Sequence, residues 1–261
     1  MNIVVCLKQV PGTTRVQIDP HTTTLVRQGV KAILNPLDAY ALEEGVRLKE
    51  RYGGKVTVLT MGPPQADEML REAISLGADQ VILLSDRAFA GSDTIATAGA
   101  LAPAIRKIAD FNLVICGRQT LDGDTGQVGP EVAEMLGLPF VAYVSKVEEA
   151  TGATLRVQRL VDEGHETIET PLPAVITVVK EINVPRLPSL RGMAKAKSAQ
   201  ITVWTAKDIA ADPNNVGQAG SATRVIKTFV PERARRGEVL EGKLEEQLDT
   251  LVKRMKDSHL V

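Results

Sequence analysis

The chain has 261 residues, of which 44% are apolar and 24% are charged, and its formal net charge is −1. The near-neutral balance gives no reason to expect binding to nucleic acid, and the lack of a run of about 18 apolar residues predicts no membrane span. This length and apolar content suffice for one large domain, or for one domain with an extension.

The cysteines and histidines predict neither a disulfide framework nor a metal site. Cys6 and Cys116 each lie near the end of an apolar run, as expected for reduced thiols in a core. The three histidines are scattered and lack the spacing of metal ligands. The first eight residues become polar too soon for a signal peptide and predict a first strand instead. We therefore expect a cytoplasmic protein.

Up to about residue 140, segments of strand length alternate with segments of helix length. Four apolar segments rich in Val and Ile predict strands covered on both faces: 3–7, 55–60, 80–85 and 112–116. Amphipathic or well-capped segments predict the helices: 36–52, 64–76, 92–109 and 127–136. The alternation predicts an α/β fold with a doubly wound, mainly parallel sheet.

Beyond residue 140 the pattern changes. Four segments predict shorter, more alternating strands that add to the sheet in antiparallel fashion: 141–148, 153–160, 166–170 and 174–179. We expect an α/β domain over 1–182 and a partner-binding extension over 183–261. The extension begins with 183–207, which holds five basic residues and no acidic one, and ends with 238–256, whose leucine spacing predicts an amphipathic helix.

The segment after the fourth predicted strand is the strongest candidate for a ligand site. Open parallel sheets bind ligands at the carboxyl ends of their strands, where the strand order reverses. Residues 117–130 contain four glycines and lead into a helix near Gln127. Glycine allows close backbone approach, and the free N–H groups of a first helical turn suit a phosphate. Arg118 could add charge, while Thr125 and Gln127 could donate hydrogen bonds.

Other readings of this segment remain open from the residues alone. Asp122 and Asp124 would repel a phosphate, so they would hold the loop or accept hydrogen bonds from a ribose. The segment also fits an ordinary surface loop with acidic turn residues. It has neither the Rossmann glycine fingerprint nor the Gly-Lys-Ser/Thr of a phosphate-binding loop. A metal or hydrolytic dyad of the two aspartates lacks a nearby histidine or third carboxylate.

Three stretches together resemble the beta (small) subunit of electron-transferring flavoproteins. They are 4–11 with 35–38, the loop 117–130, and 157–168 with 173–178. Glu163 departs from the family pattern, which usually has Gly or Asp there. The resemblance covers essentially the whole chain. It implies the adenine-nucleotide-binding α/β fold also found in universal stress proteins, and an alpha subunit that carries a flavin above this chain.

The resemblance also implies a cofactor site. The nucleotide would lie against these residues: Cys6, Asn35, Pro36, Leu37, Asp38, Met61, Gly117, Arg118, Gln119, Thr120, Leu121, Asp122, Gly123, Asp124, Thr125, Gly126, Gln127 and Val128. In one branch of the family this nucleotide is structural AMP. In the bifurcating branch it is a second FAD that accepts hydride from NADH. The loop 122–130 is similar to the second branch, which implies FAD, with AMP as the alternative.

The resemblance extends to partner proteins. Segment 188–195 is similar to the recognition loop that docks on acyl-CoA dehydrogenases, and it implies these partner-binding residues: Leu190, Arg191, Met193 and Lys195. Leu190 would be the apolar anchor; an ordinary turn over the core is the alternative. Ferredoxin or flavodoxin would be a further partner. No catalytic residue is expected, because a flavin supplies the redox chemistry. A stand-alone nucleotide-binding stress protein would lack the basic stretch and the C-terminal helix.

Overall fold

The computed structural model describes residues 1–12, 17–18, 25–26, 32–226, 237 and 239–260. Within these ranges the strands are β1 (Ile3–Cys6), β2 (Gln9–Pro11), β3 (Gln17–Ile18), β4 (Leu25–Val26), β5 (Ala32–Leu34), β6 (Val56–Met61), β7 (Gln80–Leu84), β8 (Leu113–Gly117), β9 (Phe140–Ala150), β10 (Thr154–Val161), β11 (Gly164–Pro171), β12 (Ala174–Val178) and β13 (Thr202–Trp204). The helices are α1 (Pro36–Tyr52), α2 (Asp67–Leu76), α3 (Thr94–Ile108), α4 (Val128–Leu136), α5 (Leu190–Ser198), α6 (Gly217–Gly220) and α7 (Leu244–Asp257).

One nine-stranded sheet organises the chain, in the order β11-β10-β9-β12-β8-β1-β6-β7-β13. The seven strands from β9 to β13 in this order pair in parallel, and β9, β10 and β11 form an antiparallel meander at one edge. The predicted doubly wound, mainly parallel sheet with added antiparallel strands is therefore confirmed. Two short pairs, β2 with β5 and β3 with β4, lie outside this sheet.

The expectation of an antiparallel strand over 174–179 is wrong. β12 pairs in parallel with both β8 and β9, and all five of its residues are buried. A strand covered on both faces between two neighbours belongs to the interior of a parallel sheet. β12 follows an antiparallel hairpin along the chain, but it returns to the centre of the sheet.

Two apolar layers cover the sheet because successive side chains of a strand point to opposite faces. Ile3 and Val5 of β1 join a buried cluster with α1 and α2 residues such as Leu42 and Leu70. Val4 of β1 joins a second cluster on the other face, with residues of α3 and α4. Each fully buried large aliphatic side chain contributes roughly 1.5–3 kcal/mol, so these two clusters hold the helices on the sheet.

Local sequence signals explain where the principal helices begin and end. Pro36 occupies the first turn of α1, and Gly53, at φ 72°, follows its last residue, so the predicted 36–52 is confirmed. The Asp93 carboxylate caps α3 by accepting a hydrogen bond from Ala96 N. The predicted helix 64–76 divides instead into a 3₁₀ turn, Pro64–Ala66, and α2.

The described chain separates into a compact unit, Met1–Ile226, and a second unit from Lys227 onward. The first unit thus includes 183–226, which the sequence analysis assigned to the extension. In the second unit, α7 begins at Leu244 rather than at 238, and residues 239–243 are not helical. Residue 238 lies outside the described residues.

Candidate functional site

The strand order reverses between β1 and β8. From β1 the chain moves outward through β6 and β7, and then returns to the other side of β1 as β8. Cys6 and Cys116 are paired in register at the carboxyl end of these two strands. The segments that leave β1 and β8 are therefore the ones that frame the crevice in which open α/β sheets bind ligands.

Asn35 joins the segments that meet at this crevice. The residue is fully buried, and its Nδ2 donates to Gln119 O at 2.9 Å while its Oδ1 accepts from Leu121 N at 3.2 Å. Its backbone N–H donates to Lys8 O at 2.9 Å. The side-chain amide thus fixes the turn after β8 at the start of α1, and the backbone N–H ties the same residue to the end of β1. Removing the amide would leave two partly buried backbone groups without their partner, and an unsatisfied buried group costs about 1–3 kcal/mol.

Asp38 lies directly beneath the crevice. Its Oδ2 accepts a hydrogen bond from Lys8 N at 2.7 Å, and its side chain is almost wholly buried. Burial raises the pKa of Asp38 to about 7, although hydrogen bonds from Asn35 and from the Lys8 and Gly117 backbones oppose this effect. The carboxyl of Asp38 therefore holds the ends of β1 and β8 in place and titrates near neutral pH.

Gly117 is required by the close approach of β8 to α1. A Cβ atom there would lie 2.3 Å from Asp38 Oδ1 and 2.8 Å from Leu37 O. Pro36 is exposed and Leu37 is half-buried, so these two residues contribute chiefly through their backbone and through the start of α1. The four residues 35–38 thus lie together where α1 begins, beside the carboxyl ends of β1 and β8.

The two aspartates of the turn hold the turn itself. Both oxygens of Asp122 lie 2.8 Å from Lys8 Nζ. Partial burial acts to raise the pKa of Asp122, but the hydrogen bond and charge of Lys8 outweigh it and keep this pKa below its usual value. The Asp124 carboxylate accepts a hydrogen bond from Gln119 Nε2, and Asp124 N donates to Thr120 O at 2.8 Å. Sequence reasoning did not single out Lys8, although it lies only two residues after β1.

The far end of the turn leaves backbone groups available to a ligand. No side chain caps the first turn of α4, whose N-cap is Gln127. Residues 121–125 are exposed, and Gly126 has φ 65°, a conformation that favours glycine. An uncapped helix N-terminus beside a glycine-bearing turn has the donors that a phosphate or diphosphate needs. Val128, which begins α4, is half-buried behind this turn.

Cys6 and Met61 supply apolar surface at the strand ends. Cys6 is buried beside Cys116, and the pKa of the Cys116 thiol is raised, first by its hydrogen bond with Cys6 and then by burial. The Cys116 thiol is therefore protonated and poorly nucleophilic. Met61, at the end of β6, is half-buried and packs against the second core cluster. This part of the site can pack against a ligand but offers no catalytic group.

Arg118 extends away from the turn towards β9. Its guanidinium carbon lies 5.0 Å from the centroid of the Tyr143 ring, within the range of a cation–π contact. Its backbone N–H donates to Val178 O at 3.0 Å. The contact between Arg118 and Tyr143 was not predicted from the sequence, because a strand pattern does not show which aromatic ring an arginine will contact.

The structure places the predicted partner-binding residues on a helix rather than a loop. Ser189 caps α5 by accepting a hydrogen bond from Gly192 N at 3.0 Å. Leu190 is 83% exposed, and Arg191 and Met193 are also exposed. Lys195 Nζ donates to Ala78 O at 3.1 Å, so this lysine fastens α5 to the segment between α2 and β7.

The part of the chain that the structure describes contains neither a helix that could span a membrane nor a cluster of metal-binding side chains. None of its helices is long and apolar enough to cross a membrane. No cluster of three or more His, Cys, Asp or Glu side chains within the same residues could hold a metal ion.

Comparison with known proteins identifies the family. The model of the electron transfer flavoprotein domain matches residues 22–209. The chain is 49% identical over its whole length to the whole electron transfer flavoprotein subunit beta of Thermoanaerobacterium thermosaccharolyticum. It is 45% identical, again over both full lengths, to the caffeyl-CoA reductase-Etf complex subunit CarD of Acetobacterium woodii. Protein FixA of Azotobacter vinelandii is 44% identical over 93% of this chain and 89% of its own. The chain therefore belongs to the electron transfer flavoprotein family, among its beta subunits.

Proposed function

We propose that this chain binds FAD at the crevice between β1 and β8 and works in the cytoplasm as half of a heterodimer with a flavin-carrying alpha subunit. When bound, the FAD would accept hydride from NADH and send its two electrons along separate paths, one through the FAD of the alpha subunit and one towards ferredoxin or flavodoxin. The chain itself binds and orients the dinucleotide. An acyl-CoA dehydrogenase would exchange electrons with the alpha-subunit flavin.

The turn anchored by Asn35 is the observation that supports nucleotide binding most directly. Its acidic side chains are engaged by Lys8 and Gln119, so its ligand-facing donors are backbone N–H groups and the uncapped start of α4. Such donors suit the diphosphate that joins the two halves of FAD. The same crevice would take AMP, which shares the adenosine and one phosphate, and AMP is the alternative ligand.

Support for an acyl-CoA partner comes from one relative and one surface. The Acetobacterium woodii relative is named as a subunit of a complex with a caffeyl-CoA reductase, an enzyme named for a CoA thioester. In this chain, α5 is fastened to α2 by a hydrogen bond from Arg71 to Ala196 O, and it presents Leu190 to solvent. A fixed apolar side chain of this kind suits a small, transient interface.

Co-production with the alpha subunit, followed by release and quantification of bound nucleotides, tests this function. We expect two FAD molecules per heterodimer. One FAD with one AMP would instead identify the non-bifurcating type, and one FAD without a second nucleotide would exclude a nucleotide site on this chain.

The Asn35→Ala variant connects that measurement to the crevice. We expect it to lose at least a tenfold factor in affinity for the chain's own nucleotide, because two hydrogen bonds that shape the turn disappear. The alpha-subunit flavin should remain. Asn214→Ala, which removes an exposed amide far along the chain, is the matched control. Retention of the second nucleotide by Asn35→Ala at wild-type affinity would contradict this account of the site.

A further inference from the structure

Two cysteines lie side by side at the carboxyl ends of β1 and β8. Cys6 and Cys116 are in-register partners of these parallel strands, and both belong to the buried cluster that faces α3 and α4. Neighbouring strands lie about 4.8 Å apart, and disulfides usually join Cα atoms that are about 4.4–6.8 Å apart. The backbone therefore places the two cysteines at a distance that a disulfide can span.

The two thiols also contact each other. A hydrogen bond links Cys6 with Cys116, and the chain contains no third cysteine. Val4 and Val114 form the in-register layer beneath them on the same face, so the rest of their surroundings is largely apolar. A disulfide within this chain could therefore join only these two residues.

Exposure increases along the two strands towards the crevice. Val4 and Val114 are 1% and 0% exposed, whereas Cys6 and Cys116 are 8% and 6% exposed. The thiols are thus the last buried layer before the crevice. A small solute such as a peroxide can reach them there, and a nucleotide in the crevice would cover them. Susceptibility of a cysteine to oxidation follows this kind of access.

We propose that Cys6 and Cys116 form a peroxide-sensitive thiol pair, which closes to a disulfide when no nucleotide covers the crevice. This inference rests on the proposed function only for the covering ligand, and FAD or AMP would serve equally. The oxidant is a hydroperoxide, and the reaction of a reduced flavin with dioxygen is one source of it. Transient disulfides of this kind are the ones that occur in reducing compartments.

The oxidation consumes one peroxide per thiol pair. Cys6 reacts first, because the raised pKa of the Cys116 thiol keeps that residue protonated. The Cys6 sulfur attacks one oxygen of hydrogen peroxide, the O–O bond breaks, and water leaves with the thiol proton, so Cys6 becomes a sulfenic acid. The Cys116 sulfur then attacks the Cys6 sulfur, the S–O bond breaks, and a second water leaves with the Cys116 proton. Two thiols are thus oxidised to one disulfide while one peroxide is reduced to two waters.

The disulfide would change the shape of the crevice. The Cβ atoms of a disulfide lie about 3.8 Å apart, which is less than the usual strand spacing, so the ends of β1 and β8 would be drawn together. Asp38 contacts both ends, since it accepts a hydrogen bond from Lys8 N and lies against Gly117. We therefore expect the disulfide form to bind the nucleotide more weakly. By thermodynamic linkage, a bound nucleotide must then oppose closure of the disulfide.

Peptide mapping of the heterodimer under non-reducing conditions tests the thiol pair. The nucleotide of this chain is removed or left in place, hydrogen peroxide is added, and the peptides that contain Cys6 and Cys116 are analysed by mass spectrometry. We expect a crosslink between these two peptides, formed about tenfold or more slowly when the nucleotide is bound. A dithiol reductant should reverse the crosslink and restore nucleotide binding.

Two variants separate the disulfide from other oxidation products. Cys116→Ala should give no crosslink, and its Cys6 should accumulate as a sulfenic acid that a dimedone-type reagent labels. The double variant Cys6→Ala with Cys116→Ala controls for oxidation of Met61. Peroxide should leave the nucleotide affinity of this double variant within about twofold of its untreated value, whereas it should weaken wild-type affinity about threefold or more.

Three results would overturn the proposal. The first is the absence of a crosslink in the nucleotide-free wild type. The second is an equal rate of crosslinking with and without a nucleotide that dialysis shows to be bound, because the thiols would then not lie beneath it. The third is an equal loss of affinity in the double variant, which would assign the effect of peroxide to Met61. A heterodimer in which this chain takes up neither FAD nor AMP refutes the proposed function instead, and the crosslink should still form in it.

Discussion

At the residue scale, Asp38 is a buried acid with a structural task. Its carboxyl joins the ends of β1 and β8, and burial raises its pKa to about 7, far above the value of about 3.9 expected in an unfolded chain. Folding therefore favours the protonated form. The stabilising contribution of Asp38 is fully present below pH 4, and it is lost as the pH rises towards 7.

Asp38→Asn should remove this pH dependence. Between pH 4 and 7, we expect the unfolding free energy of the wild type to fall relative to that of the variant by up to about 1.4 kcal/mol per pH unit. Above pH 7 the difference between the two proteins should stay constant. Urea titrations at several pH values measure it. Asp86→Asn is the control. Backbone hydrogen bonds from Ala88 and Ala206 lower the pKa of Asp86, so its ionised carboxylate stabilises the fold and this stabilisation is lost only at acid pH. A difference for Asp38→Asn that is constant from pH 4 to 8 would contradict the shift.

At the element scale, the site depends on how closely β8 approaches α1. Gly117→Ala would place a methyl group 2.3 Å from Asp38 Oδ1, so either the strand or the helix must move. We expect a loss of about 1–3 kcal/mol in unfolding free energy and weaker nucleotide binding. Gly152→Ala, where nothing lies within 4 Å of the added atom, should change neither. Equal denaturation midpoints for the two variants would show that the contact between β8 and α1 accommodates the added methyl group without a loss of stability.

The elements also show which features could be predicted from the sequence. α1 was predicted to the residue, since a proline and a glycine mark its ends. The parallel pairing of β12 was not predicted, because the neighbours of a strand are set by the path of the chain rather than by the residues of the strand itself. β13 has only three residues and gave no periodic signal. The turn after β8 was found through its glycines, whereas the contact of Arg118 with Tyr143 depends on a backbone angle that a sequence does not reveal.

At the scale of the whole molecule, the second unit presents an apolar helix face. Leu244, Leu248 and Leu251 of α7 are each 45–70% exposed. We expect Leu248→Glu with Leu251→Glu to weaken association with the alpha subunit at least tenfold while the unfolding midpoint of the first unit stays the same. Lys253→Gln, an exposed polar change on the same helix, is the control. Sedimentation measurements that find unchanged association would assign this face another role.

The central position of β1 has a consequence for synthesis on the ribosome. Ile3 lies between Val56 and Leu113, so β1 gains its second neighbour only after more than a hundred further residues have been made. At about 5–20 residues per second, this delay is roughly 5–20 s. During that time one side of an entirely apolar strand is open to chaperones. The proposed nucleotide crevice, which lies between these two strands, thus cannot form before β8 has been made.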